Sequence, residues 1–317
     1  METTTLPKIK NEWESFMIPG KYNYKRPDTK AEALYMLAES GDEARPLAGG
    51  HSLIPMMKLR MASPSVLVDI AKLDELRGIS INKDDITIGA ATTQHELINN
   101  DELYTVCPII RETSLLIADP QIRYCGTIGG NVGNGDPGND LPGLMQCLDA
   151  TYVLENSSGR REVKARDYYQ AAYFTALEVG EMITAIEFKA PAEGVGYAYT
   201  KLKRKVGDYA TAAAAVLLGI QNGEVKYASI AMTNVADTPL YIEDAANKIV
   251  GTSLSDDDIA SCVAAAEAKT APVSDARGSA EYRSKMAGVM LEKALRLAKE
   301  RAGEMKSEGG LFGWLKR

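Results

Sequence analysis

Two short glycine-rich segments constrain this chain more than any other feature: Ala48-Gly49-Gly50-His51-Ser52 and, much further on, Thr127-Ile128-Gly129-Gly130-Asn131. Each joins adjacent glycines to hydroxyl or amide side chains. Each is expected to follow a short extended stretch and to lead, directly or after a polar loop, into a helix. Glycine lets a backbone run close to a bound group and turn its N–H groups toward it. A pair of such loops in one chain points to a clamp on a phosphate-bearing cofactor. In the first, the N–H groups from Gly49 to Ser52 and the Ser52 hydroxyl are candidate donors to a diphosphate oxygen, and the helix beyond adds a favourable dipole end. In the second, Thr127 and Asn131 supply side-chain hydrogen bonds while Gly129 and Gly130 let the chain pass close by. The bland alternative is two ordinary tight turns, because Gly-Gly is a generic turn signal.

Other nucleotide sites are excluded by what the chain lacks. It has no G-x-x-x-x-G-K-[ST] segment, so it is no P-loop protein. Gly133-x-Gly135-x-x-Gly138 matches the dinucleotide fingerprint by letter, but Pro137 and Asn139 make it a loop, and the next helix opens only at Asp140. Asp140 has two readings, as the N-cap before Leu141-Pro142 or as an acceptor for a ribose hydroxyl. The only histidines are His51 and His95, too few for a histidine metal cluster. The four cysteines, Cys107, Cys125, Cys147 and Cys262, form no C-x-x-C pair and fit a reducing cytosol as small buried hydrophobes. Cys125 stands apart because it adjoins the second glycine segment. No nucleophile–base pair stands out, so the chemistry is expected to belong to a cofactor. A formal net charge of −7 argues against nucleic acid as a partner.

With 317 residues, 45% hydrophobic and 25% charged, the chain suits two ordinary domains. Its opening residues are polar and no apolar run is long enough to span a membrane, so neither export nor a membrane span is expected. The division read from the chain is an extension over 1–16, a first domain over 17–193, a second over 194–302 and a tail over 303–317. Thr29-x-x-Glu32 and Thr93-x-x-Glu96 are capping boxes. Strands are expected at Val66–Ile70 and Ile86–Ile88, helices at Leu53–Arg60, Ile109–Ile117 and Asp140–Leu148, and a hairpin around Ser157-Ser158-Gly159. Pro191–Gly194 reads as a linker. Beyond it, Val195–Lys203, Ala212–Gln221 and Glu224–Thr233 read as three antiparallel strands, the last two joined by an Asn222-Gly223 turn. Helices capped by Ser255-x-x-Asp258 and carrying Met286, Met290, Ala294 and Leu297 are expected on one side of them. The tail ends Leu311-Phe-Gly-Trp-Leu-Lys-Arg317, either a disordered terminus or a docking peptide for a partner or a membrane surface.

Two longer stretches carry a resemblance. Pro46-Leu-Ala-Gly-Gly-His-Ser-Leu-Ile-Pro-Met-Met-Lys-Leu-Arg60 and Ile117-Ala-Asp-Pro-Gln-Ile-Arg-Tyr-Cys-Gly-Thr-Ile-Gly-Gly-Asn131 are similar to the FAD-binding subunits of the molybdenum hydroxylases. Lys201-Leu-Lys-Arg-Lys-Val-Gly-Asp-Tyr-Ala-Thr-Ala-Ala-Ala-Ala215, Ala280–Met290 and Asp136-Pro-Gly-Asn-Asp140 resemble the carbon monoxide dehydrogenase branch of that family. The resemblance implies an α+β fold: a two-subdomain FAD-binding domain of the vanillyl-alcohol-oxidase (PCMH) type, followed by a C-terminal α+β domain with a three-stranded antiparallel sheet. It implies that Ala48, Gly49, Gly50, His51, Ser52 and Leu53, with Thr127, Ile128, Gly129, Gly130 and Asn131, grip the diphosphate of FAD. It places Asp140 at the adenosine portion, Ile117, Ile183 and Lys201 at further contacts, and Tyr209 near the isoalloxazine ring. Tyr209 can also be read as a strand tyrosine packed in the core. The implied function is electron transfer. A large molybdenum-containing subunit and a small iron–sulfur subunit hold the molybdenum-copper cofactor and the [2Fe-2S] clusters, in a dimer of heterotrimers. This chain passes electrons to a quinone-type acceptor, in the cytoplasm or at the inner face of the cell membrane. The same subunit serving an aldehyde, xanthine or aromatic-thioester hydroxylase, or a flavin-free assembly module, are the competing readings.

Overall fold

The computed structural model describes residues 18–303; the N-terminal extension and the Leu311–Arg317 tail lie outside it. The first half of the chain builds a small parallel sheet and a larger antiparallel one. Strands Asn23–Lys25 and Ala44–Leu47 flank Val66–Asp69 in parallel. The helix between them, Lys30–Ser40, is capped by the Thr29 hydroxyl and stops at Gly41, whose φ is +54°. The Glu32 carboxylate accepts from the N–H of Asp28, one residue before the cap. The second sheet is antiparallel and five-stranded, in the order Ile79–Asn82, Asp85–Gly89, Met182–Lys189, Thr151–Asn156, Gly159–Lys164. Its last two strands form the hairpin around Ser157-Ser158.

The second half holds Gly196–Leu202, Ala212–Gln221 and Glu224–Thr233 in antiparallel register. Asn222 and Gly223 turn the hairpin with φ of +54° and +75°, the left-handed pair that matches strand twist. A fourth strand, Leu240–Tyr241, completes the sheet, where three strands are expected from the sequence. At two residues it is too short to show a period.

The helices do not keep to one side of this sheet. Ala212, Ala214, Val216 and Leu218 join the core shared with helices Glu243–Ile249, Asp256–Glu267 and Ala280–Arg301. The alternate residues Ala213, Ala215 and Leu217 join a core that includes Ile110, Ile128, Leu144 and Ile186 of the first half. Burial on both faces explains why the strand reads as an unbroken apolar run instead of an alternating one. The sheet is therefore a wall common to both halves, and helices Pro108–Leu115 and Asp140–Cys147 cover its second face.

The covering helix approaches closely at Gly143, where a Cβ would meet the Thr233 hydroxyl oxygen at 2.3 Å. That oxygen is buried without a hydrogen-bond partner among the described residues. Gly143→Ala is expected to destabilise the chain by about 1–3 kcal/mol through overpacking. Adding Thr233→Ala removes the struck atom and should recover most of the loss. Denaturant unfolding of the two single variants and the double variant checks this.

Candidate functional site

A cavity of about 850 Å³ opens where the two halves meet, toward the upper end of the ~300–1,000 Å³ usual for ligand pockets. The strand Ala44–Leu47 delivers one wall, the polypeptide from Ala48 to Leu53. Thr127, Gly129, Gly130, Asn131, Gly133 and Asn134 form the facing wall, and Ile117 and Ile183 add apolar lining. The C-terminal sheet contributes Lys201 and, from the loop after its first strand, Gly207, Asp208 and Tyr209.

The two glycine segments turn out to differ. Among the described residues, none accepts a hydrogen bond from the backbone N–H of Gly49, Gly50, His51 or Ser52. These four residues line the cavity, and their N–H groups call for an acceptor that the described residues do not supply. Gly50 takes φ +73°, which an L side chain resists. Gly49 is small for a different reason: a Cβ there would lie 2.1 Å from the carbonyl oxygen of Cys125. The first segment thus rests on the backbone that leads into the second. Cys125, an exposed free thiol, contributes here through its main chain.

The second segment is helix, not loop. Thr127 caps Ile128–Gly133, accepting the Gly130 N–H at 3.0 Å. It follows another helix, Pro120–Cys125, in place of the expected extended stretch. The Gly129 N–H donates to Ala90 O at 2.8 Å and the Asn131 N–H to Thr127 O at 3.0 Å, so these groups are spent inside the fold. Gly129 is glycine because a Cβ would stand 2.5 Å from that of Ala90. Ile128 is fully buried in the core and does not line the cavity, and its N–H donates to Thr92 O. What this wall can offer a ligand is the side chains of Thr127 and Asn131 beside the bare Cα of Gly130. The Asn131 Oδ1 is buried with no partner among the described residues.

Asp140 is not the N-cap. Asn139 takes that place and Asp140 is the first residue of the helix. Its carboxylate accepts from Tyr199 Oη at 2.7 Å through Oδ1 and from Lys201 Nζ at 2.7 Å through Oδ2. The two charged side chains are 4% and 1% exposed, and Lys201 Nζ also reaches Leu116 O at 3.2 Å. Burial pushes the Asp140 carboxyl above its ordinary range, against the pull of Lys201 and the hydrogen bonds it receives. Burial, then the nearby carboxylate, drives the Tyr199 phenol well above its own ordinary value, which keeps it a donor. Tyr209 is 42% exposed and lies in a loop, so the core-packed strand reading is excluded. Its ring sits over Gly138, where a Cβ would meet Cδ1 at 3.1 Å.

Sequence reasoning missed Gln94, Thr175, Glu181 and Asp208 at this cavity. Gln94, Thr175 and Glu181 lie in none of the quoted motifs and reach the wall through tertiary packing, whereas Asp208 adjoins Tyr209 within the Lys201–Ala215 stretch.

The family model for the FAD binding domain in molybdopterin dehydrogenase matches residues 20–190. That for the CO dehydrogenase flavoprotein C-terminal domain matches 197–298. The carbon monoxide dehydrogenase medium chain of Afipia carboxidovorans is 60% identical over 286 residues, 90% of this chain and 99% of the relative. The glyceraldehyde dehydrogenase medium chain of Sulfolobus acidocaldarius is 36% identical over 280 residues, covering 88% and 99%. A chain in the crystal structure of the cyanide-inactivated Cu,Mo-CO dehydrogenase superposes with a TM-score of 0.89 at 60% identity, over 90% of this chain and all of that one.

Lys201→Met is expected to cost about 3–5 kcal/mol, because it leaves a carboxylate buried without its counter-charge. The double variant Asp140→Leu with Lys201→Met should recover much of that. Equilibrium unfolding of the set measures the coupling.

Proposed function

The chain belongs to the family of FAD-binding subunits of the molybdopterin dehydrogenases, and from that premise we propose that it is the FAD-carrying subunit of a carbon monoxide dehydrogenase complex. The observation that carries the reading is the 60% identity to a carbon monoxide dehydrogenase medium chain across nearly the full length of both proteins. The cavity agrees on its own terms. It has the volume for an extended ligand, a run of unclaimed N–H donors at Gly49 to Ser52, and a glycine-lined opposite wall.

In this reading the N–H groups of Gly49 to Ser52 donate to the diphosphate, with the Ser52 hydroxyl and His51 alongside. Ala48 and Leu53 flank them. Thr127 and Asn131 hydrogen-bond from the facing side, where Gly129 and Gly130 keep the wall low. Ile117 and Ile183 supply apolar contact. Asp140 and Lys201 hold the C-terminal wall in place, and Tyr209 limits access to one end. FAD, when bound, supplies the redox chemistry, including the capacity to take electrons singly or in pairs.

The partners are a large molybdenum-containing subunit, where carbon monoxide is oxidised, and a small iron–sulfur subunit that delivers the electrons. A quinone-type acceptor, a dimer of heterotrimers and a cytoplasmic setting complete the proposal. Docking at the inner face of the membrane through the C-terminal tail is part of it, although that tail lies outside the described residues. Among the described residues no helix is long and apolar enough to cross a membrane. We take the domain boundary at 193–194, between the two matched family regions.

The purified chain, alone or in its complex, should take up FAD and show flavin absorbance. A colourless protein that takes up no FAD would favour the assembly-module reading. Asn131→Leu should weaken FAD about tenfold while leaving the melting temperature of the ligand-free chain unchanged, since Oδ1 has no partner to lose. Substrate is a separate question, because a medium chain 36% identical to this one serves a glyceraldehyde dehydrogenase. Dye reduction by the assembled complex should depend on carbon monoxide. Reduction with an aldehyde and none with carbon monoxide would assign the chain to the other branch.

A further inference from the structure

Gln94 opens the helix Gln94–Asn99, and its backbone N–H donates to Gly126 O at 2.8 Å. Its side chain has no evident task in that helix. The residue is 2% exposed and lines the cavity. The amide fills the space where Gly126 has no side chain: a Cβ there would meet Oε1 at 3.1 Å and Cδ at 3.3 Å. The carbonyl oxygen of Ile122 borders the same space at 3.0 Å and already accepts the Gly126 N–H. Oε1 is therefore a sealed acceptor with no donor among the described residues, sharing its niche with a second acceptor. A buried polar atom in that position is costly.

The oxygen and nitrogen of a side-chain amide exchange places by a half-turn about the last torsion, with almost no change of shape. The half-turn sets Nε2 in the niche that Ile122 O also borders and takes the carbonyl oxygen out of it, to the position of Nε2, which unlike Oε1 is not among the sealed atoms of this cavity-lining residue. The niche lies directly behind the first glycine segment, because a Gly49 Cβ would meet Gly126 Cα at 3.0 Å. The outward carbonyl then belongs to the same cavity that Gly49 to Ser52 line, whose N–H groups are committed to the diphosphate in the FAD reading. A carbonyl oxygen can only accept, and a diphosphate offers only acceptors at neutral pH. Its partner must be the next donor along the ligand. In a dinucleotide that donor is a sugar-type hydroxyl on either side of the diphosphate.

We propose that Gln94 is a ligand-binding residue of this cavity, whose carbonyl oxygen accepts a hydrogen bond from a sugar hydroxyl adjoining the diphosphate. The inference rests on the FAD reading of the cavity. The test titrates the full chain with FAD, and separately with ADP, in the wild type and in Gln94→Met, which keeps length and bulk but has no carbonyl. FAD affinity should fall about tenfold, with the melting temperature of the ligand-free variant close to that of the wild type. An equal loss for ADP assigns the hydroxyl to the ribose, and an unchanged ADP affinity assigns it to the ribityl chain. Unchanged FAD affinity in Gln94→Met, with or without a lower melting temperature, overturns the proposal and leaves the FAD reading intact. A wild type that binds no FAD overturns that underlying reading instead. If Gln94→Met does not fold, Gln94→Asn withdraws the amide by one methylene and must show the same loss of affinity.

Discussion

The structure turns on one buried ion pair. Asp140 comes from the first half of the chain and Lys201 from the second, and they meet at 2.7 Å with almost no solvent contact. Two charges taken from water are costly, and their attraction offsets that cost only when geometry is good and the remaining lone pairs are satisfied. Here Tyr199 takes the second carboxylate oxygen and Leu116 O takes another of the ammonium hydrogens. A second tie lies close by in sequence: Glu112 accepts the Tyr199 backbone N–H and an Arg301 hydrogen bond through its two oxygens. Strand Gly196–Leu202 is an edge of its sheet, and these contacts fasten that edge to the first half. The cavity exists because the edge is held there, with Lys201 in the cavity wall and the loop to Tyr209 continuing from it.

The glycines then do two different kinds of work. Gly49 and Gly129 are small because other parts of the protein press against them, at Cys125 and Ala90 respectively. The backbone donors that remain for a ligand belong to the first segment only. The second segment contributes a capped helix, two polar side chains and a low surface. A clamp with one jaw of backbone donors and one of side-chain donors suits an elongated anionic ligand, because the backbone N–H groups gather the charge at one place.

Much of the fold was legible along the chain. Strands Ala212–Gln221 and Glu224–Thr233 and their turn were readable from strand-forming residues around Asn222-Gly223. The capping boxes at Thr93 and Ser255 marked helix starts that the structure keeps. Fifteen of the sixteen residues expected at the cofactor line one cavity, Ile128 being the exception. The rest depends on partners distant in sequence. That Gly129 N–H is spent on Ala90 O cannot be read locally. Helix Glu243–Ile249 has no side-chain cap to announce it, and strand Leu240–Tyr241 has no room for a pattern. Asp140 reads along the chain as a cap or as a ribose acceptor; the cap belongs to Asn139, and the pairing of its carboxylate with Lys201 depends on a residue far along the chain. Gln94 is silent in the sequence, since only the Gly126 niche gives its amide a meaning.

The most direct measurement is a crystal structure of the chain, in its complex, with FAD bound. The account predicts the diphosphate against the N–H groups of Gly49 to Ser52, with the Gly129 N–H still bonded to Ala90 O and the Asp140–Lys201 pair intact. A diphosphate held instead by the N–H groups of Gly129 and Gly130, or a flavin bound outside this cavity, would contradict it.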